Sequence, residues 1–402
     1  MLKAAIMGFG TVGSGVYEIL DKNADVVAKN AGEGMEVKYI LDLRDFPEYP
    51  FQEKFIKDFS IIENDPEIAI VAEVMGGKGA AYEFTKRCLL AGKHVVTSNK
   101  ELVATHGAEL LKIAAEKNVN YLFEASVGGG IPIIRPMLQC LTANHMTQIA
   151  GILNGTTNYI LTRMIRAGLS FDEALKEAQQ KGYAEANPSA DVDGIDACRK
   201  ISILSDIAYG DNIDPDQVST EGISKITLDD VKFADQADCV VKLLGRAVLN
   251  DDGSIYAFVA PHLVPKSSPL ACVDDVFNAI MVTGDMLGES MYYGQGAGKL
   301  ATASAVVADM IDCARHQKER REIGWGDGSK KLLRPMDAFA SRWYVRMGGK
   351  DAAEMLSRVF GGIEVLKGKK DEAACLTEEL TTKQMEKLCA GLGDVRSCMR
   401  VL

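Results

Sequence analysis

The chain has 402 residues, of which 47% are hydrophobic, so it is long enough for two or three domains with full apolar cores. Its formal net charge of −11 and pI near 5.1 argue against general nucleic-acid binding, because phosphate contacts need a basic face. The nine cysteines are scattered and form no C-x-x-C pair, which predicts reduced thiols in a cytoplasmic protein and argues against a disulfide framework or a zinc site. No apolar run approaches ~18 residues, which predicts a soluble protein without a membrane span.

A glycine-rich motif follows the first predicted strand. Residues 2–7 are an apolar run, and GFGTVG comes next, with Gly8, Gly10 and Gly13 in the order G-x-G-x-x-G. In dinucleotide-binding folds the first glycine allows a tight turn, the second lets the backbone approach the pyrophosphate, and the third lets helix and strand pack closely. The motif therefore predicts a dinucleotide site, the alternative being a glycine-rich turn without a ligand.

The second predicted strand, residues 37–43, leads to two charged side chains that bear on the choice of cofactor. Asp42 would hydrogen-bond a ribose 2′-hydroxyl, as NAD requires, whereas Arg44 would meet the 2′-phosphate of NADP. Either residue could instead be an ordinary exposed charge. The sequence leaves the choice between NAD and NADP open.

Three further predicted strands, residues 68–77, 93–100 and 119–134, alternate with two predicted helices that run to about residue 91 and over about 102–117. This alternation predicts an α/β fold with a parallel, doubly wound sheet of Rossmann type, whose ligands lie beyond the carboxyl ends of the strands. The residues at such ends are Met75, Gly76, Gly77, Ser98, Asn99 and Lys100. Lys100 is therefore a candidate functional residue, and a solvated surface lysine is the alternative.

The pattern changes after residue 135. Residues 146–165 predict a strand, a polar turn at 154–158 and a helix, and the turn's hydroxyls and amides either cap that helix or bind a small polar ligand. Further along, GYAEANPSADVDGIDACRK (182–200) places a turn at 187–189 before a helix on which Asp196 and Lys200 are i and i+4 neighbours. Taken alone, a solvated salt bridge at a helix start is the simpler interpretation.

Later segments predict more sheet and a separate tail. Residues 238–260 alternate around Asn250–Gly253 as a hairpin, residues 277–298 continue the sheet, and a glycine-rich turn at 294–298 precedes a helix from about 301 to 314. A charged linker at 315–335 leads to SRWYVRM, AAEMLSRVFG, GIEVLKG, EAACLTEEL, TKQMEKLCAGL and VRSCMRVL, in the order βαββαβ. The five histidines show no metal-ligand spacing and are predicted to be structural or surface residues.

Five motifs in this order resemble homoserine dehydrogenase over about residues 1–320: GFGTVG, TSNKELVA, EASVGGGIP, GILNGTTNYILT and GYAEANPSADVDGIDACRK. The resemblance implies an enzyme that uses NADP or NAD to interconvert L-aspartate 4-semialdehyde and L-homoserine, a step towards threonine, methionine and isoleucine. It also implies a sodium or potassium ion, and a homodimer or homotetramer whose interface includes apolar edges of residues 277–298.

The resemblance assigns roles residue by residue. Lys200 is the main proton donor to the aldehyde oxygen, Lys100 a second cleft lysine close to the nicotinamide, and Asp196 an acidic partner at the same site. The substrate-binding positions are Glu185, Asp191, Tyr183 and Thr156. The cofactor-contact positions are Gly8, Phe9, Gly10, Thr11, Val12, Gly13, Arg44, Met75, Gly76, Ser98, Lys100 and Gly298. The cation positions are Glu124 and the backbone carbonyls of Val127, Gly129 and Ile131. Asp193 has no assigned role.

The chemistry of the residues agrees with this assignment. Hydride delivery to an aldehyde builds negative charge on its oxygen, so a positioned lysine stabilises the transition state and can supply the proton. Another semialdehyde dehydrogenase would need a nucleophilic cysteine, but Cys198 lies two residues before Lys200 and points elsewhere on the helix. A catalytically silent nucleotide- or amino-acid-sensing protein is the alternative of a different class, and it has no need of both Lys100 and Lys200.

The expected domains are a dinucleotide-binding domain at 1–135, completed by about 294–320, a substrate-binding and dimerisation domain of α+β type at 136–293, and a small ACT-like regulatory domain at 336–402. Many homoserine dehydrogenases carry such a tail, which can bind amino acids between paired copies. Here Gly349-Lys350-Asp351 replaces the P-G that commonly opens its first helix. Feedback control by an amino-acid effector such as threonine is the hypothesis that follows, and a small dimerising module is the alternative.

Overall fold

The structure, a computed structural model, describes residues 1–361, 363, 365–368 and 371–402. The chain forms two compact units: Met1–His145 with Ser202–Pro215 and Gly294–Lys331, and Met146–Ile201 with Asp216–Tyr293 and Leu332–Leu402. Positions 362 and 364 of the predicted strand at 362–368 lie outside the described residues. In the part of the chain that is described, no helix has both the length and the apolar character needed to cross a membrane.

The secondary structure alternates between strands and helices in the N-terminal third and becomes richer in strands afterwards. The strands are β1 (Leu2–Met7), β2 (Met35–Leu41), β3 (Phe55–Ile56), β4 (Ile68–Glu73), β5 (His94–Thr97), β6 (Tyr121–Leu122), β7 (Met146–Ile152), β8 (Ser219–Thr220), β9 (Cys239–Leu249), β10 (Ile255–Pro265), β11 (Phe277–Gly284), β12 (Gly288–Gln295), β13 (Ala340–Ser341), β14 (Trp343–Gly348), β15 (Val365–Lys367), β16 (Glu372–Leu376), β17 (Leu380–Thr381) and β18 (Val395–Val401). The helices are α1 (Thr11–Lys22), α2 (Ala24–Ala31), α3 (Ser60–Asn64), α4 (Gly79–Leu90), α5 (Lys100–Lys117), α6 (Ile134–Gln139), α7 (Gly155–Ala167), α8 (Phe171–Gln180), α9 (Ser189–Val192), α10 (Ile195–Tyr209), α11 (Leu228–Gln236), α12 (Lys299–Arg315), α13 (Ala352–Phe360) and α14 (Thr382–Ala390).

The first unit contains a six-stranded sheet in the order β3-β2-β1-β4-β5-β6. Every neighbouring pair is parallel. The strands are almost continuously apolar, as expected where helices cover both faces of a sheet. Because the order reverses between β1 and β4, the loops after these two strands form the crevice where open α/β sheets bind ligands. The predicted doubly wound sheet is confirmed.

The predicted strand at 119–134 is wrong over most of its length. After the two residues of β6 the chain makes a 3₁₀ turn at Glu124–Ser126. Gly128 and Gly129 then have φ of +73° and +55°, a conformation that a strand does not use. A Cβ on Gly129 would lie 2.5 Å from the carbonyl oxygen of Gly296. The glycines therefore serve a close approach of two backbones, which the apolar pattern alone did not indicate.

The second unit contains a mixed sheet in the order β12-β11-β7-β9-β10-β18-β14-β16-β15, with β8 on β10. The predicted hairpin at 238–260 is confirmed, since β9 and β10 pair antiparallel from Leu249–Ile255 to Cys239–Pro265. The tail has the predicted βαββαβ order in β14, α13, β15, β16, α14 and β18. Its last strand pairs with β10, so the tail continues the sheet of the second unit.

Two features of β9 hold the loop after β7 and helix α10 close to the sheet. A Cβ on Gly245 would lie 2.7 Å from Leu153 Cδ1 and 3.1 Å from Ile201 Cβ, so this glycine allows both segments to pack directly on the strand. Lys242, fully buried, donates hydrogen bonds to the Val273 carbonyl and, at 3.2 Å, to Asn158 Oδ1 on α7. The start of α7 and the middle of α10 are thereby fixed on one sheet.

Candidate active site

In the first unit, the loop after β1 fits a dinucleotide pyrophosphate. Gly8 has φ of +94°, and a Cβ there would lie 2.8 Å from Met75 Cα in the loop after β4. A Cβ on Gly13 would lie 1.9 Å from the Gly8 carbonyl oxygen, so α1 could not approach the loop with any other residue. Gly10 precedes α1 without capping it by a side chain, which leaves the first N–H groups of the helix for an anion.

Asp42 and Arg44 form a pair just after β2. Asp42 Oδ2 accepts hydrogen bonds from the Phe9 N–H at 2.7 Å and Arg44 Nη2 at 2.8 Å, and Oδ1 accepts from the Arg44 N–H at 2.9 Å and Nε at 3.0 Å. Burial would raise the pKa of Asp42, but these hydrogen bonds lower it to about 2. The Arg44 side chain is 63% exposed, and its Nη2 lies 3.7 Å from the position of a Cβ on Gly10.

A buried carboxylate that the sequence analysis missed joins two loops at the carboxyl ends of the sheet. Glu73 accepts hydrogen bonds from the Met75 N–H at 2.9 Å and the Thr97 hydroxyl at 2.7 Å. Asn99 donates from its N–H to Thr97 Oγ1 at 2.9 Å and from Nδ2 to the Gly77 carbonyl at 2.6 Å. Burial raises the pKa of Glu73. Its only signal in the sequence is a carboxylate that ends an apolar strand.

These bonds set the positions of the predicted cofactor contacts in the same unit. Met75 and Gly76 follow β4, Gly76 has φ of +82°, and Ser98 follows β5. Lys100 is the first residue of α5, which Asn99 caps by accepting from the Leu102 N–H at 3.1 Å. Gly298, with φ of +130°, precedes α12, and like Gly10 before α1 it provides no side-chain cap.

The predicted cation position lies in the loop between β6 and α6. The Glu124 carboxylate already accepts the N–H groups of Ile133, Ile134 and Arg135 at 2.7, 2.9 and 2.7 Å. The carbonyl oxygens of Val127, Gly129 and Ile131, all buried residues, accept no hydrogen bond from any described residue. Within the described ranges, no group of three or more His, Cys, Asp or Glu side chains could hold a metal ion. The oxygens open to a cation here are therefore those of the backbone.

In the second unit, Lys200 and Asp196 form a buried ion pair on α10. Lys200 Nζ donates to Asp196 Oδ2 at 2.7 Å and to the Leu153 carbonyl at 2.6 Å. Lys200 is 7% exposed and Asp196 is 3% exposed. Helical spacing predicted that Asp196 and Lys200 are i, i+4 neighbours, and the structure confirms it. The simpler interpretation, a solvated salt bridge, is wrong because both residues are buried. A buried lysine with fixed partners is a much better positioned proton source than a surface one.

Asn154 links this pair to a second carboxylate. Its Nδ2 donates to Asp196 Oδ2 at 2.8 Å and to Asp191 Oδ1 at 2.7 Å, while its Oδ1 accepts from the Thr157 N–H at 2.8 Å. The predicted polar turn at 154–158 is wrong, because α7 begins at Gly155 and Asn154 is its N-cap. The predicted helix cap is therefore present, and the same side chain also bonds to two of the predicted site carboxylates.

Of the remaining predicted substrate positions, Thr156 and Tyr183 lie at the start of α7. Thr156 is buried and its hydroxyl donates to the Tyr183 carbonyl at 2.7 Å. The Tyr183 ring is 44% exposed and packs edge-on against Tyr159 at 5.0 Å between centroids. Glu185 is exposed, and no described residue bonds to its carboxylate. Five of the predicted residues thus belong to the segment 153–156 or bond to it, namely Lys200, Asp196, Asp191, Thr156 and Tyr183, and Glu185 lies outside their hydrogen bonds.

Comparison with known proteins gives consistent matches. A family model described as homoserine dehydrogenase matches residues 132–311, and one described as its NAD binding domain matches residues 8–124. A homoserine dehydrogenase of Pseudomonas aeruginosa is 41% identical over 366 residues, which are 89% of this chain and 84% of the relative. The crystal structure of a homoserine dehydrogenase from Thiobacillus denitrificans is similar with a TM-score of 0.92 and 35% identity, covering 100% of this chain and 98% of the other. A mutant hyperthermophilic archaeal homoserine dehydrogenase, solved in complex with NADPH, has a TM-score of 0.67 and 30% identity over 78% of this chain and 97% of its own.

Proposed function

The chain belongs to the homoserine dehydrogenase family, and on that basis we propose which role each of its residues has in the reaction. The chain is an oxidoreductase that interconverts L-aspartate 4-semialdehyde and L-homoserine with a nicotinamide nucleotide. When bound, the reduced nicotinamide supplies a hydride to the aldehyde carbon. The observation that carries the proposal is the buried Lys200–Asp196 pair, bonded to the N-cap of α7.

Lys200 donates the proton that the substrate oxygen takes up on reduction. Its ammonium donates hydrogen bonds to Asp196 and to the Leu153 carbonyl, and these two fixed acceptors hold its position. Asp196 stabilises the charged form of the lysine, and burial strengthens the attraction between Lys200 and negative charge on that oxygen. In the direction of homoserine oxidation the same amine takes the proton back.

Asp191 and Asp196 orient the substrate through its ammonium group. Both carboxylates are fixed by the Asn154 amide, so they are already in position before a substrate enters. Thr156 and Tyr183 line the same region, and the exposed Glu185 reaches the ammonium from outside their hydrogen bonds. Lys100 stabilises charge on the cofactor side, at the N-terminus of α5.

A direct assay tests the proposed activity. The purified chain is incubated with L-homoserine and NAD or NADP, and in the reverse direction with L-aspartate 4-semialdehyde and the reduced nucleotides, while nicotinamide absorbance is followed. We expect turnover in both directions with at least one nucleotide. Binding of nucleotide without turnover in either direction would instead support a silent nucleotide-sensing protein.

NADP is the better cofactor on the evidence of the Asp42–Arg44 pair. Four hydrogen bonds occupy the Asp42 carboxylate, which leaves it poorly able to accept from ribose hydroxyls. The Arg44 guanidinium is exposed and retains donors for a 2′-phosphate. Arg44→Ala is expected to raise the KM for NADPH about 10- to 100-fold, the cost of a charged hydrogen bond, with little change in the KM for NADH.

Lys57→Ala is the matched control for this variant. Lys57 is a comparably exposed cation just after the neighbouring strand β3 and is paired with Asp45 at 2.6 Å. Its replacement changes net charge equally but should leave both KM values as in the unmodified chain. An equal rise in the KM for NADH and NADPH in Arg44→Ala would contradict a role in recognising the 2′-phosphate.

A sodium or potassium ion binds the carbonyl oxygens of Val127, Gly129 and Ile131. These oxygens accept no hydrogen bond from described residues, and carbonyl oxygen suits a hard cation. Three N–H groups occupy the Glu124 carboxylate, so Glu124 contributes its backbone carbonyl, which accepts a long hydrogen bond from the Val127 N–H at 3.5 Å. Comparing the thermal unfolding of the chain in sodium, potassium and tetramethylammonium chloride tests this site, and identical midpoints contradict it.

Two copies of the chain associate through the edge of the mixed sheet at β12. This strand is the outer strand of the sheet, and its hairpin carries exposed Met286, Leu287, Met291 and Tyr293. Exposed apolar residues along a sheet edge favour pairing with another chain. Sedimentation velocity measures the oligomeric state, and a monomer at micromolar concentration would contradict the proposal.

The tail from 336 to 402 is an ACT-like regulatory module that responds to an amino-acid effector such as threonine. Its βαββαβ order and its antiparallel neighbours β18-β14-β16 support this proposal.

A further inference from the structure

Three of the nine cysteines lie in the tail, and two of them share one face of its sheet. Cys398 of β18 pairs with Val345 of β14, and Val345 pairs with Cys375 of β16. Directly paired residues of antiparallel strands place their side chains on the same face of a sheet. Cys398 and Cys375 therefore lie on either side of Val345, which is buried in the apolar core of the tail.

The third cysteine of the tail faces the same core from helix α14. Cys389 comes one turn after Met385, which is buried in that core, and i, i+4 residues lie on the same side of a helix. Cys389 and Cys398 both pack against the core. They also line the same cavity of about 590 Å³ in the second unit. Helical spacing and strand pairing thus bring these two cysteines together.

The thiols of this cluster differ in acidity. Hydrogen bonding from Cys398 lowers the pKa of the Cys389 thiol, although burial opposes this effect. The same hydrogen bond, together with burial, raises the pKa of Cys398 well above its usual value. Burial raises the pKa of the fully buried Cys375 to about 12. Of the three, Cys389 is therefore the one that most easily forms a thiolate, the form of cysteine that reacts.

The pair is also accessible to a small oxidant. Cys389 and Cys398 are half-buried and line a cavity, whereas Cys88, Cys313 and Cys375 are fully buried. When an accessible thiolate is oxidised to a sulfenic acid, a second thiol beside it can convert the sulfenic acid into a disulfide before further oxidation makes the change irreversible. The arrangement in the tail has both of these parts.

We propose that Cys389 and Cys398 form a reversible oxidation site, at which a peroxide converts the two thiols into an intrachain disulfide. The Cys389 thiolate attacks a peroxide oxygen and the O–O bond breaks, which leaves a sulfenic acid and releases hydroxide that takes up the proton Cys389 had lost. The Cys398 sulfur then attacks the Cys389 sulfur, and its proton leaves with the hydroxyl group as water. Two electrons pass from the sulfurs to the peroxide, and a dithiol reductant reverses the change.

The disulfide joins the end of α14 to the last strand of the sheet, β18. Its formation depends only on residues of the tail. It requires neither the substrate and cofactor positions nor the effector response proposed above, so its test is independent of theirs.

Peptide mapping of the full-length chain tests the site. The reduced chain is treated with hydrogen peroxide, its remaining thiols are blocked with N-ethylmaleimide, and it is digested with trypsin. Because trypsin cleaves after Lys387, Arg396 and Arg400, the two cysteines fall in separate peptides, 388–396 and 397–400. We expect mass spectrometry to find these peptides joined, lighter than their sum by the two thiol hydrogens, and separate again after treatment with dithiothreitol.

Two results of the mapping would overturn the proposal. One is recovery of both peptides with blocked thiols at a peroxide concentration that oxidises the exposed Cys140. The other is a different disulfide, either from Cys389 to Cys375 or between two chains on a non-reducing gel. The mapping uses the unmodified chain, so a variant that fails to fold leaves this test intact.

Single variants test the order of the two steps. In Cys398→Ser the sulfenic acid at Cys389 has lost its partner thiol and should be trapped by dimedone. In Cys389→Ser the dimedone labelling of Cys398 should be at least about tenfold lower, because this thiol stays protonated. Cys140→Ser is the control, since Cys140 is an exposed cysteine of the first unit and its loss should leave the joined peptides unchanged. Equal labelling in the two tail variants contradicts the assignment of Cys389 as the attacking thiol.

Discussion

Lys200→Met is expected to lower kcat for reduction of aspartate semialdehyde by about 10³-fold, within the range that a positioned general acid contributes. Methionine is close in length to lysine but has no proton to give and no charge to stabilise the developing alkoxide. Steady-state kinetics in both directions measure the effect. The KM for the nucleotide should change little, because the proposed cofactor contacts are other residues.

Lys200→Met leaves Asp196 buried without this cation, and breaking a buried ion pair lowers the free energy of unfolding by about 3–5 kcal/mol. A control must therefore separate the loss of a proton donor from the loss of stability. Lys93→Met is matched for burial: Lys93 is 4% exposed and donates to the carbonyls of Asp65 and Ile68 at 2.7 and 3.2 Å. It adjoins the amino end of β5, away from the strand ends where ligands bind. Both variants should unfold at lower temperature, but only Lys200→Met should lose kcat. Retention of more than about a tenth of kcat in Lys200→Met would exclude it as the principal proton donor.

Gly13→Ala is expected to raise the KM for the nucleotide at least about 100-fold and to destabilise the chain by about 1–3 kcal/mol, the usual cost of overpacking. The added Cβ would lie 1.9 Å from the Gly8 carbonyl oxygen, so α1 must move away from the loop that it packs against. The first N–H groups of the helix would then no longer point at the pyrophosphate position proposed for this loop. Nucleotide titration by fluorescence and thermal unfolding measure the two effects.

Gly79→Ala is the control for this substitution. Gly79 is the first residue of α4, and a Cβ there meets nothing within 4 Å. Replacing it should leave nucleotide affinity unchanged and stabilise the chain slightly, by about 0.4–1 kcal/mol through the unfolded state. Normal nucleotide affinity in Gly13→Ala would contradict the pyrophosphate position proposed for this loop.

Local patterns in the sequence predicted much of the fold. The glycine fingerprint, the alternation of strands and helices and the hairpin at 238–260 depend on residues close together in the chain, and each is confirmed. The prediction failed at 119–134, where an apolar run was taken as one strand. There the glycines at 128 and 129 serve a contact with Gly296, far away in sequence.

In the candidate site, too, spacing along the chain predicted some features, whereas others depend on distant segments. The pairing of Asp196 with Lys200 follows from helical spacing, and the structure shows it at 2.7 Å. Its burial does not follow, because it depends on the loop at Leu153 and on Gly245 of β9. Asn154 shows the difference clearly: its capping role is local, but its bonds to Asp191 and Asp196 span 37 and 42 residues.

By itself the sequence determined the family of the chain, the class of its fold and the residue types that the reaction needs, because these depend on short motifs in a fixed order. Only the tertiary structure decided that Lys200 is buried and that Glu73 joins the loops after β4 and β5. Burial and charge pairing depend on which distant segments come together, and spacing along the chain carries no information about that.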